Sequence, residues 1–177
     1  MIGIDDMRRY ALALPEVEEG THFGLPSFSV RGKGFANLQK GDTHALLSVS
    51  EPEAEALAAE DPQTYEAVSR NGGRIFVGVR IDLAKVTVDR LRTLFAHAWR
   101  HRAPKRLVAA HPEIGDELPP KLGAPAERAL AAAGYTSLGR LTSTTEEEIA
   151  GLHGVGPSAV RRLREALVAS GRSFADG

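Results

Sequence analysis

The stretch Leu25-Pro26-Ser27-Phe28-Ser29-Val30-Arg31-Gly32-Lys33-Gly34-Phe35-Ala36-Asn37-Leu38-Gln39 sets the fold class. Ser27–Arg31 and Phe35–Gln39 have strand character, and Arg31-Gly32-Lys33-Gly34 between them has the composition of a tight turn. A third run, His44–Val49, follows a second turn, Lys40-Gly41-Asp42. Strands joined so closely form an antiparallel meander.

Helix signals surround the meander. Asp5 or Asp6 can cap a short helix through Leu14, which Pro15 ends. Ser50 can cap another near Pro52–Ala59, a further strand spans Arg74–Ile81, and a weaker one lies near Tyr65–Ser69. In Val88–Arg102, the residues Leu91, Leu94, Phe95, Ala98 and Trp99 recur at helical spacing. That apolar stripe is suited to cover one face of the sheet. The expectation is an α+β domain over residues 1–108, an antiparallel sheet with packed helices. Glu16, Glu18 and Glu19 read as a loop, and His97 and His101 as exposed surface histidines.

Residues 109–122 carry Pro112, Gly115, Pro119 and Pro120 without apolar periodicity, and read as a linker. Residues 123–177 read as a small all-α domain. Ala126–Ala133 is helical and ends at Gly134, and Thr136 or Ser137 can cap a turn carrying Leu138 and Leu141. Thr145-Glu146-Glu147-Glu148 has the capping-box pattern. Then Leu152-His153-Gly154-Val155-Gly156-Pro157-Ser158-Ala159-Val160 reads as a glycine hairpin opening into a helix, with Pro157 at the first helical position. Gly154 and Gly156 let another backbone come close, and the unpaired N–H groups beyond them suit a phosphate oxygen. Val160, Leu163 and Leu167 form a buried stripe, while Arg161, Arg162 and Arg164 fall off it. This is the pattern of a helix-hairpin-helix.

Composition narrows the classes. With 22 Lys and Arg against 23 Asp and Glu there is no global basic field to draw in nucleic acid. No cysteine is present, which excludes disulfides, thiol catalysis and cysteine-ligated zinc. No apolar run approaches the roughly 20 residues of a membrane span, and the first residues lack the regions of a signal peptide. The expected setting is cytoplasmic, away from membrane. Arg31-Gly32-Lys33-Gly34 lacks the spacing of a nucleotide loop, and no nucleophile elbow or triad is visible. His97 and His101 stand four apart but have no third ligand. The expectation is therefore a non-enzyme with no catalytic residue, cofactor or metal.

The first half resembles the MmcQ/YjbR family, which has a frataxin-like (CyaY-like) α+β fold. The likeness rests on Leu25 through Ala36, on Ile75-Phe76-Val77-Gly78-Val79, and on Ala98 through Arg106. The family is called DNA-binding after a double-wing notion, and it implies no catalytic residues. Residues 121–174 resemble the C-terminal domain of the bacterial RNA polymerase α subunit. That likeness rests on Tyr135 through Leu141, Thr145 through Glu148, Leu152 through Gly156, and Leu163 through Leu167. It implies DNA phosphate contacts from Gly154, Gly156, Ser158 and Ala159. It also places Pro125 and Ser158 where that family has an arginine and a lysine, which leaves Arg128, Arg161 and Arg162 as candidates to compensate for the two lost cations. A second basic patch comprises Arg100, Arg102, Lys105 and Arg106, unless these serve only a helix C-terminus. The expected partner is duplex DNA, bound weakly and without sequence preference. The alternatives are an adaptor binding a protein in transcription, and a metal or small-molecule site on the CyaY-like sheet.

Overall fold

The computed structural model describes residues 1–177, which divide into two compact units, residues 1–115 and 116–177. The first contains α1 (Ile4–Leu12), β1 (Val17–His22), β2 (Leu25–Val30), β3 (Lys33–Leu38), β4 (His44–Leu47), α2 (Glu51–Glu60), β5 (Tyr65–Arg70), β6 (Ile75–Asp82), α3 (Val88–Arg102) and α4 (Lys105–Ala110). Its six strands form one sheet in the order β1-β2-β3-β4-β6-β5, with every neighbouring pair antiparallel.

The turns follow from backbone chemistry. At β2–β3, Arg31 and Gly32 both take positive φ, at 51° and 78°, the mirror-image turn whose twist matches the flanking strands. The register aligns Phe28, Ala36, Leu47 and Val79 in one row across β2, β3, β4 and β6, and all four are buried. On the opposite face the row is Ser27, Asn37, Leu46, Arg80 and Glu66. In these rows one face is a core and the other is polar except for Leu46.

Helix α3 supplies the cover. Thr87 caps it by accepting the Arg90 N–H at 3.2 Å, and it stops at Ala103 because the following proline disfavours a helical residue before it. Phe95 lies edge-on to Tyr10, Phe28 and Phe35 at centroid distances of 6.2, 6.4 and 6.3 Å. Fully buried Trp99 donates its indole N–H to the Pro15 carbonyl at 2.9 Å. His97 is not an exposed surface histidine: Glu53 of α2 holds its Nδ1 at 2.5 Å in a partly buried setting. That pair joins α2 to α3.

Three further expectations are corrected in this unit. The segment read as an acidic loop is β1, an edge strand that forms through backbone pairing with β2 although five of its six residues are exposed. The first helix is capped at Gly3, whose N–H donates to the Asp6 carboxylate at 3.0 Å, rather than at Asp5 or Asp6. Lys105–Ala110 forms a helix where the end of the domain and the start of a linker were expected.

The second unit contains α5 (Ala124–Ala132), α6 (Leu138–Leu141), α7 (Glu146–Ala150) and α8 (Pro157–Ala169). Leu130, Leu141, Ile149, Leu163 and Leu167 form the fully buried centre of its core. Residues 109–122 are not an open linker. Ile114 packs on the first core and its carbonyl accepts from Arg100 at 3.0 Å. Leu118 and Leu122 belong to the second core. Asp116 accepts the Gly139 N–H at 3.1 Å and a guanidinium N–H of Arg172 at 2.6 Å, which fastens the start of the unit to α6 and to its C-terminal tail. No helix is long and apolar enough to cross a membrane.

Candidate nucleic-acid interface

The segment from α7 to α8 is built by capping. Thr145 Oγ1 accepts the Glu148 N–H at 3.2 Å, and the Glu148 carboxylate accepts the Thr145 N–H at 3.0 Å and the Thr144 hydroxyl at 2.6 Å. Helix α7 then ends at Gly151, and the chain turns through Leu152, whose carbonyl accepts the Val155 N–H at 3.1 Å. Val155 drops its side chain into the core.

The two glycines of this turn have different reasons to be glycine. Gly154 has φ +100°, and a β-carbon there would sit 2.9 Å from the carbonyl oxygen of Pro125. The close backbone approach expected of the hairpin is therefore made by Gly154 against the start of α5. Gly156 has an ordinary φ of −91°, and a β-carbon there would meet nothing within 4 Å. It caps α8 without a side-chain oxygen, and Pro157 follows at the first helical position. The N–H groups of Ser158 and Ala159 find no acceptor in the chain, as first-turn amides do when no capping side chain reaches them. Ser158 is exposed, and the Ala159 methyl is buried.

The arginines beyond the turn divide by partner. Arg164 grips Glu146 of α7 through two N–H donors, one of them Nε at 3.0 Å. It is committed to the α7–α8 clamp. Arg161 is exposed and stands 3.9 Å from Glu165, while Arg162, half-buried, has no carboxylate partner. Arg128 is exposed on α5. The structure thus brings Gly154, Gly156, Ser158, Ala159, Arg161 and Arg162 into one turn and the helix that follows it.

The capping network carries a pH dependence. The Thr144 hydroxyl, followed by the Thr145 N–H, holds the Glu148 carboxyl below its ordinary value, and hydrogen bonding to Arg164 does the same for Glu146. A depressed carboxyl contributes stability that is present above its unfolded pKa and lost as pH falls through its folded one. The second unit is therefore expected to lose stability below about pH 4.5. Glu148→Gln should flatten that dependence while lowering stability at neutral pH, which urea melts followed by circular dichroism would read. An unchanged acid slope in the variant would contradict the assignment.

The second basic set lies at the end of α3 and the start of α4. Arg100 donates to the carbonyls of Pro112 and Ile114 at 3.3 and 3.0 Å. Arg102 donates to the Gly34 carbonyl at 3.2 Å, while Lys105 and Arg106 project into solvent. The bond from Arg102 places it beside the β2–β3 turn, which adds exposed Lys33 and Arg31 to the same neighbourhood. Sequence spacing gave no hint of that addition, since it depends on a contact across 68 positions. Arg31 is itself paired with Glu16 at 2.9 Å, and Glu19 with Arg8 at 3.0 Å. No group of three or more His, Asp or Glu side chains is placed to hold a metal ion.

The sheet order, the helices packed on it and the separate helical unit define an α+β protein with an appended all-helical unit. The chain belongs to the YjbR family, whose sequence model matches residues 12–101. Among solved structures it is similar to the Deinococcus radiodurans protein DR2400, assigned to domain DUF419. The likeness has a TM-score of 0.51 and 17% identity, and covers 65% of this chain and 91% of that one. At that identity it shows the fold. No curated protein matches the chain.

Proposed function

We propose that this is a non-enzymatic nucleic-acid-binding protein whose α7–turn–α8 segment is a helix-hairpin-helix that holds DNA phosphates through backbone amides. The reading is supported most by Gly156. Neither its φ nor any neighbouring atom requires glycine there, and it sits beside two unpaired amides at a helix start. Open backbone of this kind is what a phosphate oxygen approaches, aided by the helix dipole. The resemblance read from residues 121–174 to the RNA polymerase α C-terminal domain would, if it holds, point the same way. Backbone amides carry no information about base identity, so binding is sequence-nonspecific.

Magnitudes set its strength. The second unit carries seven Lys and Arg against eight Asp and Glu, so no broad field assists the contact. One turn with Arg161 and Arg162 neutralises about 2–4 phosphates, which gives a log–log salt slope of about −2 to −4. Affinity then lies near or weaker than about 10⁻⁴–10⁻⁶ M at physiological salt. Fluorescence anisotropy with duplex DNA across several salt concentrations measures both. Arg161→Glu/Arg162→Glu is expected to reduce the slope by about 2 and to weaken binding on every duplex alike. Wild-type binding by that variant would instead support an adaptor that docks a protein on the helical unit, a reading favoured by Pro125 and Ser158 standing where the polymerase family has cations.

A further inference from the structure

The two edges of the sheet are finished differently. Strand β5 has a register shift at Val68/Ser69 and is packed by α2, both common ways to blunt an edge. Strand β1, Val17-Glu18-Glu19-Gly20-Thr21-His22, is touched by α1 but less extensively than β5 is by α2, has neither lysine nor proline, pairs with β2 without a shift, and is exposed at every position after Val17. At its end stands Phe23, 90% exposed and held at φ +51° in the β1–β2 turn. That conformation is a genuine outlier for a bulky residue, and the position normally takes Asn, Asp or Gly. Its ring contact is an edge-on one with adjacent His22 at 4.4 Å. A bulky residue kept in so strained a conformation at a turn suits a functional contact.

We infer that β1 pairs antiparallel with β1 of a second copy of this chain, in a register centred on Gly20. A twofold pairing puts residues on the same face opposite each other, so the strand can be centred on a residue but not between two. Centring on Glu19 would set two carboxylates directly opposite, which is destabilising. Centring on Gly20 sets Glu19 against Thr21 and Glu18 against His22, an acid against a base. The next position brings the Phe23 tip beside Val17. The sequence of β1 is thus complementary to itself about Gly20. A six-residue edge is small beside the roughly 1,200–2,000 Å² of a stable interface, so the dimer is concentration-dependent.

The absence of cysteine makes a clean test possible. Gly20→Cys fits the strand, since a β-carbon there meets only Ser27 Oγ at 4.0 Å. In this register the two thiols face each other across about 4.5–5.5 Å between α-carbons, within disulfide reach. Mild oxidation of the full chain is expected to link Gly20→Cys into dimers, and to leave Glu19→Cys, Thr21→Cys and the turn control Lys40→Cys largely unlinked. Sedimentation equilibrium of the unmodified protein should show mass rising from 18.9 kDa toward twice that value as concentration increases. Phe23→Asn should return it to monomer while raising its melting temperature. The inference is overturned if Gly20→Cys links no better than Lys40→Cys, if Glu19→Cys links best, or if the mass stays monomeric throughout.

Discussion

Gly78→Ala is expected to cost the first unit about 3 kcal/mol or more, enough to remove much of the roughly 5–15 kcal/mol that holds a typical domain. Gly78 lies on β6, between β4 and β5, opposite Val68 where the β5–β6 register shifts. A β-carbon there would overlap the carbonyl oxygen of Leu47 and stand 3.0 Å from its carbonyl carbon and 3.2 Å from the Ser48 α-carbon. All three neighbours are backbone, so no rotamer change relieves the clash. Relief requires β4 and β6 to separate, which breaks pairing at the centre of the sheet and the core beneath Leu47 and Val79. Trp99 is the sole tryptophan and is fully buried in this unit, so its fluorescence in a urea titration reports the loss directly. A midpoint within experimental error of wild type would show that the two strands do not approach so closely.

The second large effect is a contrast between neighbours. Gly154→Ala is expected to destabilise the helical unit by about 2–3 kcal/mol, combining the cost of a left-handed backbone with a 2.9 Å contact on the Pro125 carbonyl. Gly156→Ala should leave stability within about 0.5 kcal/mol, because its φ is ordinary and its surroundings are open. Circular dichroism melts separate the two cases. DNA binding should follow a different order, with Gly156→Ala weakened although fully folded. If both alanine variants were equally stable, Gly154 would not be seated against α5. If Gly156→Ala bound DNA like wild type, the open side of that glycine would not face the ligand.

Much of this architecture was legible wherever one residue has one dominant physical role. The apolar stripe of α3 fixed that helix to its last residue, and the Thr145–Glu148 capping box and the Pro157 start are found at the expected positions. The β2–β3–β4 meander lies within a few residues of its turn signals. Pairwise geometry was not legible. Strand β1 has no apolar alternation and exists through its partner strand, so its acids looked like a loop. The proline-rich stretch around Pro112 looked like a linker because the anchors that hold it, Arg100 and Arg172, lie outside it. The candidate site shows the same division. Its glycines and arginines could be named from sequence, but not that Arg164 is engaged by Glu146, nor that only one of the two glycines is required by the fold.

The proposed phosphate contact is made by main-chain donors, and amide chemical shifts observe these directly. Titrating a short duplex into the ¹⁵N-labelled protein at low salt is expected to move the amide resonances of Gly154, Gly156, Ser158 and Ala159 most within the helical unit, and added salt should reverse the shifts. Resonances of these four residues that stay fixed while others respond, or no response anywhere at millimolar duplex, would contradict it.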